Sequence, residues 1–294
     1  MTRIALQEII KKQEHSCNSL NMKKNREEIM KDWIVVRGGG DLATGTIYKL
    51  WKCQFQVLVI ECEKPSAIRR KVAFSDAVYY GEQTVEGVTC KLVSDLSEAK
   101  KAVEEGKIPM MIDPEGKIID ECKPAVVIDA IIAKKNLGTN RSMAPKTIAL
   151  GPGFEAGVDV DYVIETKRGH NLGRIITKGR AYPNTGIPGV IAGYGKERVI
   201  HAACSGVFTG CSEIGDLVEK DQVIGWIAQG EEKTEVLASL TGILRGILPD
   251  GFTVTKGFKL ADIDPRKEEK KNCDTISDKA RCIAGGVLEA VMCR

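Results

Sequence analysis

The 294-residue sequence carries 43 basic against 40 acidic residues, a formal net charge of +3, with 43% hydrophobic and only 5% aromatic residues. Balanced charge and few aromatics exclude a nucleic-acid surface as its organising feature. Apolar runs such as 125–133, which Asp129 interrupts, are too short to span a membrane.

The length allows two domains with separate cores. Residues 1–31, rich in Lys, Glu, Asn and Gln, read as a helical N-terminal extension, with Met22 or Met30 as alternative starts. Gln7 and Glu8 interrupt any signal-peptide core, so the expected location is cytoplasmic. The ten cysteines are then expected as reduced thiols. With no C-x-x-C pair and three histidines, no metal site is expected.

Residues 33–61 organise the first domain, 32–195. The apolar run Trp33 to Val36 suits a buried parallel strand, and the loop after it places Gly38, Gly40 and Ala43 at G-x-G-x-x-A spacing around Gly39 and Asp41. Such spacing allows a tight turn, backbone approach to a pyrophosphate, and close packing of helix on sheet. The helix repeats Ala43, Ile47, Leu50 and Trp51 on one face. The next strand ends on Glu61, where an acid can bind a ribose hydroxyl. The same segment in a protein that binds no nucleotide remains the open alternative. Arg69 and Arg70 follow, able to reach a phosphate or to form a solvated helix face.

Further strands end at Asp113, at Asp129 and at the Gly151, Pro152, Gly153 turn, all at the carboxyl edge of the expected sheet, where ligands lie. Each Asp reads equally as a helix cap. Lys134, Lys135 and Asn136 are candidate phosphate partners. Residues 161–178 read as a hairpin that gathers Arg168, His170 and Arg174, suited to an oxyanion or simply to solvent. Gly186, Pro188, Gly189, Gly193 and Gly195 mark a linker.

The second domain, 196–264, repeats itself at an offset of 36 residues, with matches at Gly206/Gly242, Gly210/Gly246, Gly215/Gly251, Val218/Val254, Lys220/Lys256 and Ile227/Ile263. Two copies of short strands with glycine turns predict a small β-barrel of related halves, which resembles biotinyl and lipoyl domains. Lys233 does not align with the lysine those carriers modify; Glu231 does. No covalent biotin or lipoate is therefore expected. Residues 265–294 read as a loop and a helix capped by Ser277, returning to the first domain.

The loop Arg37 to Gly45, the run Glu63 to Arg70, Gly151 to Phe154, Arg168 to His170, Pro183 to Gly186 and Ile276 to Arg281 together resemble the YqeB family of accessory proteins for selenium-dependent molybdenum hydroxylases. The first domain and final helix are also similar to XdhC-like proteins. The expected fold is a Rossmann-like parallel sheet plus a barrel-sandwich hybrid. The resemblance implies a maturation factor that meets an apo molybdenum hydroxylase and holds a molybdopterin dinucleotide, its pyrophosphate at Gly38, Gly40 and Asp41, its ribose at Glu61, and a second anion at Gly151 and Gly153. The alternatives are an NAD(P)-dependent oxidoreductase and a non-catalytic scaffold. No catalytic residue stands out.

Overall fold

The computed structural model describes residues 32–186 and 189–293. The expected extension at 1–31 and Pro188 of the expected linker lie outside them.

The first unit contains strands β1 (Trp33–Arg37), β2 (Gln56–Glu61), β3 (Glu82–Val85), β4 (Val88–Leu92), β5 (Ile108–Ile112), β6 (Val126–Asp129), β7 (Lys146–Leu150), β8 (Glu155–Ala156), β9 (Tyr162–Ile164), β10 (Ile175–Ile176) and β11 (Gly179–Arg180). Its helices are α1 (Asp41–Lys52), α2 (Ala77–Tyr80), α3 (Leu96–Glu104) and α4 (Ile118–Cys122), joined from the far end of the chain by α5 (Asp278–Met292). Nine strands form one sheet in the order β10-β9-β7-β6-β1-β2-β5-β4-β3, while β8 and β11 pair separately.

The strand period of two sorts β1 between two cores. Ile34 and Val36 point toward Ile47 and Leu50 of α1 and toward Ala280, Ile283 and Val287 of α5. Trp33 and Val35 point to the opposite face, with Ala99 and Ala102 of α3 and Ile118 of α4. Helix α3 starts in a reciprocal cap: Glu98 N donates to Asp95 Oδ1 at 2.8 Å, and Ser94 N donates to Glu98 Oε2 at 2.8 Å. Ser277 caps α5, accepting from Ala280 N at 3.2 Å.

The expected Rossmann-like parallel sheet is corrected by this topology. Strands β3 and β4 form an antiparallel hairpin that occupies one edge, and β10 runs antiparallel to β9 at the other, so the sheet is mixed. The link from β6 to β7 holds only a 3-10 turn at Arg141–Met143 in place of a crossover helix. The glycine-loop signal is local to one strand, helix and strand, and it carries no information about direction at the edges.

The second unit contains β12 (Val199–His201), β13 (Gly206–Gly210), β14 (Leu217–Val218), β15 (Val223–Gln229), β16 (Glu232–Leu237), β17 (Gly242–Ile247), β18 (Phe252–Val254) and β19 (Lys259–Asp264). They form two four-stranded sheets, β12-β19-β17-β14 and β16-β15-β13-β18, over one shared core. Each repeat copy lends its short middle strand to the other: β14 pairs with β17, and β18 pairs with β13. A Cβ on Gly206 would lie 2.4 Å from Ala228 O, and one on Gly242 would lie 2.3 Å from Asp264 O. The 36-residue offset thus relates the glycines and the backbone they lie against.

The sandwich is joined to the sheet unit by backbone. Ile247 N donates to Ile68 O at 2.8 Å, and Arg70 Nε donates to Ile247 O at 3.0 Å. A Cβ on Gly246 would meet Ile68 O at 2.9 Å, which explains a glycine at the point where the two units touch.

Candidate functional site

The glycine loop lies at the carboxyl ends of β1 and β2. Gly38 has φ +96°, and a Cβ there would meet the Ile131 backbone at 3.0 Å, so position 38 requires glycine for backbone geometry alone. At Gly40 an added Cβ meets nothing within 4 Å. Ala43 is buried beneath the loop.

Glu61 is committed to the loop itself. Its Oε2 accepts from Gly39 N at 2.7 Å and its Oε1 from Cys62 N at 2.8 Å. The acid expected to hold a ribose fixes the turn, and the Gly39 amide is donated to it. Gly38, Gly40, Asp41, Ala43 and Glu61 all line a chamber of about 260 Å³. Burial and the neighbouring Glu61 push the Cys62 thiol up to about 11, so it stays protonated at neutral pH.

Most of the remaining expected site residues have structural partners. Asp113 accepts from Gly116 N at 3.0 Å and Ile118 N at 2.9 Å, capping the start of α4. Asp129 is buried beside Arg37, and its Oδ2 accepts from Thr139 Oγ1 at 2.6 Å. A Cβ on Gly151 would strike Thr166, and one on Gly153 would strike the Lys135 backbone at 2.7 Å. Arg168 forms a bidentate pair with Asp278, both contacts at 2.9 Å. His170, Lys134 and Lys135 are exposed.

Asp76 is buried one residue past Ser75, whose amide donates to Gly39 O at 2.8 Å. Burial pushes its carboxyl up from 3.8 to about 6, against the opposing pull of Arg70, which stands 3.9 Å away. The folded protein therefore holds more protons than the unfolded chain between those pH values. Stability falls as pH rises through that window, and the full penalty is present above it. Asp76→Asn is expected to stabilise the protein by about 2–3 kcal/mol at pH 8 and by almost nothing at pH 4. Urea unfolding at both pH values measures this, and an equal effect at the two would refute it.

A cleft of about 700 Å³ lies between the sheet unit and the sandwich and adjoins the loop at Asp41 and Leu42. Seven cationic side chains line it against four carboxylates. Several are neutralised locally: Arg198 pairs with Asp262 at 2.9 Å, and Arg266 with Asp264 at 2.8 Å. Arg69 is not. Its side chain is 9% exposed, its nearest carboxylate oxygen is on Asp41 at 3.5 Å, and its Nε and second terminal nitrogen have no hydrogen-bond partner. Burial and the nearby Arg245 both lower its pKa.

Sequence reasoning missed Arg245, Lys279 and Ser75. A signal for Arg245 exists: at the 36-residue offset it replaces Thr209, a polar-to-cationic break inside an otherwise matched Gly-x-x-x-Gly segment. Lys279 and Ser75 are placed by tertiary contacts and carry no comparable mark. Among the described residues no group of three or more His, Cys, Asp or Glu side chains is placed to hold a metal.

No protein-family model matches the chain. It is similar to the uncharacterized protein YqeB of Escherichia coli (strain K12), 52% identical over 259 residues, a match covering 88% of this chain and 47% of that protein. The chain thus spans about half the length of the curated relative it matches. Solved structures with some likeness include a succinylglutamatedesuccinylase/aspartoacylase from Rhodobacter sphaeroides (TM-score 0.27, 14% identity, covering 80% of this chain and 86% of that one). Another is an aspartoacylase family protein from Mesorhizobium loti (TM-score 0.24, 9% identity, 79% of this chain and 84% of that one).

These names do not carry the functional expectations drawn from the sequence. The relative carries no assigned function, and the structures are of desuccinylase/aspartoacylase proteins, not of XdhC-like proteins, biotinyl or lipoyl carriers, or oxidoreductases. The mixed nine-stranded sheet corrects the expected XdhC-like Rossmann assignment, and the barrel-sandwich-hybrid name, which no comparison supports, is not kept. The role in molybdenum hydroxylase maturation, the apo-hydroxylase partner, and the molybdopterin dinucleotide and NAD(P) cofactors find no support in these comparisons and are not kept. The engaged Glu61 and Gly39 give the physical reason for the dinucleotides. No helix of the described residues is long and apolar enough to cross a membrane.

Proposed function

We propose that this chain binds a small molecule bearing an oxyanion, a carboxylate or a phosphate, in the cleft between the sheet unit and the sandwich. The observation that carries the reading is Arg69: a buried guanidinium on the cleft wall, two of its nitrogens unpartnered. A buried charge without full pairing costs several kcal/mol, and an anion entering the cleft offsets that cost. Arg245 supplies a second cation whose nearest carboxylate oxygen, on Asp262, is 4.0 Å away. The loop at Gly40 and Asp41 forms the adjoining floor, with open space beside Gly40. The cytoplasm is the proposed compartment, on the free state of the nine described cysteines.

Arg69→Met keeps the aliphatic stem that packs on Gly246 and removes the charge. In chloride the variant is expected to be more stable than the native chain by roughly 1–4 kcal/mol. The rise in melting temperature that inorganic phosphate or citrate gives the native chain, above chloride of matched ionic strength, is expected to vanish. A variant that still responds to both oxyanions would sink the proposal.

A further inference from the structure

Lys279, in the first turn of α5, lines both the large cleft and a second, mostly apolar chamber of about 430 Å³ walled by Leu42, Ile132, Pro152 and Tyr182, with Lys134, Lys167 and Arg168 at its sides. Its side chain is half-buried. The adjacent carboxylate, Asp278, is occupied: both its oxygens accept from Arg168 at 2.9 Å, and Oδ1 also accepts from the Lys279 backbone amide at 2.7 Å. The Lys279 amine is left with no hydrogen bond or ion pair to any described residue. Burial, then the Arg168 guanidinium, lower its pKa from the ordinary lysine range, against the opposing carboxylates of Asp41, Glu165 and Asp278. An unpaired, partly desolvated amine between a cationic cleft and an apolar chamber is the arrangement of a nucleophilic lysine.

We infer that Lys279 Nζ condenses with the carbonyl group of an oxo acid whose carboxylate is held by Arg69 and Arg245. The inference rests on the oxyanion reading above and names the ligand class. The lone pair of the neutral amine adds to the carbonyl carbon as the C=O π bond breaks. The carbinolamine then loses its hydroxyl with a proton from nitrogen, leaving a C=N bond and one water. No oxidant or reductant takes part. The chain of the oxo acid beyond the carbonyl lies in the apolar chamber.

The full chain is incubated with glyoxylate and sodium cyanoborohydride, which reduces any imine to a stable secondary amine, and the modified lysines are mapped by peptide mass spectrometry. Lys279 is expected to be labelled roughly tenfold faster than the exposed lysines. Arg69→Met is expected to lower that selectivity, and neutral propanal is expected to label lysines without preference. Lys279→Arg removes the selective label while its melting temperature still rises with phosphate. Uniform labelling of the native chain overturns the inference. If it occurs while the Arg69-dependent response to phosphate persists, only the imine is wrong. Loss of both removes the oxyanion site as well.

Discussion

Gly286→Ala is expected to destabilise the protein by about 3 kcal/mol, although alanine is the better helix former. The glycine lies where α5 crosses the loop after β9, and an added Cβ would stand 2.0 Å from Gly173 O. That oxygen belongs to backbone tied by Gly173 N donating to Glu165 O at 2.8 Å, so it cannot retreat cheaply. The neighbouring Gly285 provides the control. A Cβ there would find only the flexible end of Lys49 at 3.8 Å, so Gly285→Ala is expected to stabilise by roughly 0.5–1 kcal/mol through helix propensity. Urea unfolding of the two variants measures both. The same sign for both would show that α5 does not rest on the Gly173 carbonyl.

Asp129→Ala is expected to cost about 3–5 kcal/mol, because it strands Arg37 in the interior. Arg37 is 2% exposed, and its remaining partners would be Thr139 and the Pro114 carbonyl, 3.0 Å away. Burial raises the pKa of Asp129, opposed by its hydrogen bonds from Thr139 and Ile131 and by Arg37. The carboxylate is thus held by Thr139 and the Ile131 amide, with the Arg37 charge 4.0 Å away adding to them. The double variant Arg37→Met, Asp129→Leu removes both charges and is expected to recover most of the loss. A double variant as unstable as the single one would mean that packing, not charge pairing, sets the cost.

The strand, loop and helix from Trp33 to Glu61 were legible because each signal there is local: an apolar run, small residues at fixed spacing, and a helical period. The 36-residue repeat was legible because close packing demands glycine at equivalent points, as Gly206 and Gly242 show. The reversal of β10 was legible as the hairpin at 161–178, whereas the β3–β4 hairpin was not, since it depends on its turn rather than on apolar pattern. The site was read in part. Glu61 and Asp129 were singled out as acids at strand ends, a position that suits ligand binding and internal hydrogen bonding alike. What separates the two is whether a backbone amide or a buried arginine already faces the carboxylate, and only the folded chain shows that. Arg69 was noticed as a phosphate candidate, while its unpartnered nitrogens arise from segments 28 and more residues away in sequence, Asp41 and Arg245 among them.

The interleaved halves of the sandwich have a consequence for how its surface can specialise. Because each half completes the other's sheet, neither can change its glycines or its core without disturbing both, and the shared architecture is held in common. Positions that face outward are released from that bond. At one such pair the first half keeps Thr209, exposed to solvent, while the second half turns Arg245 toward the cleft. The repeat thus presents one wall twice, once to solvent with a threonine and once to the cleft with an arginine.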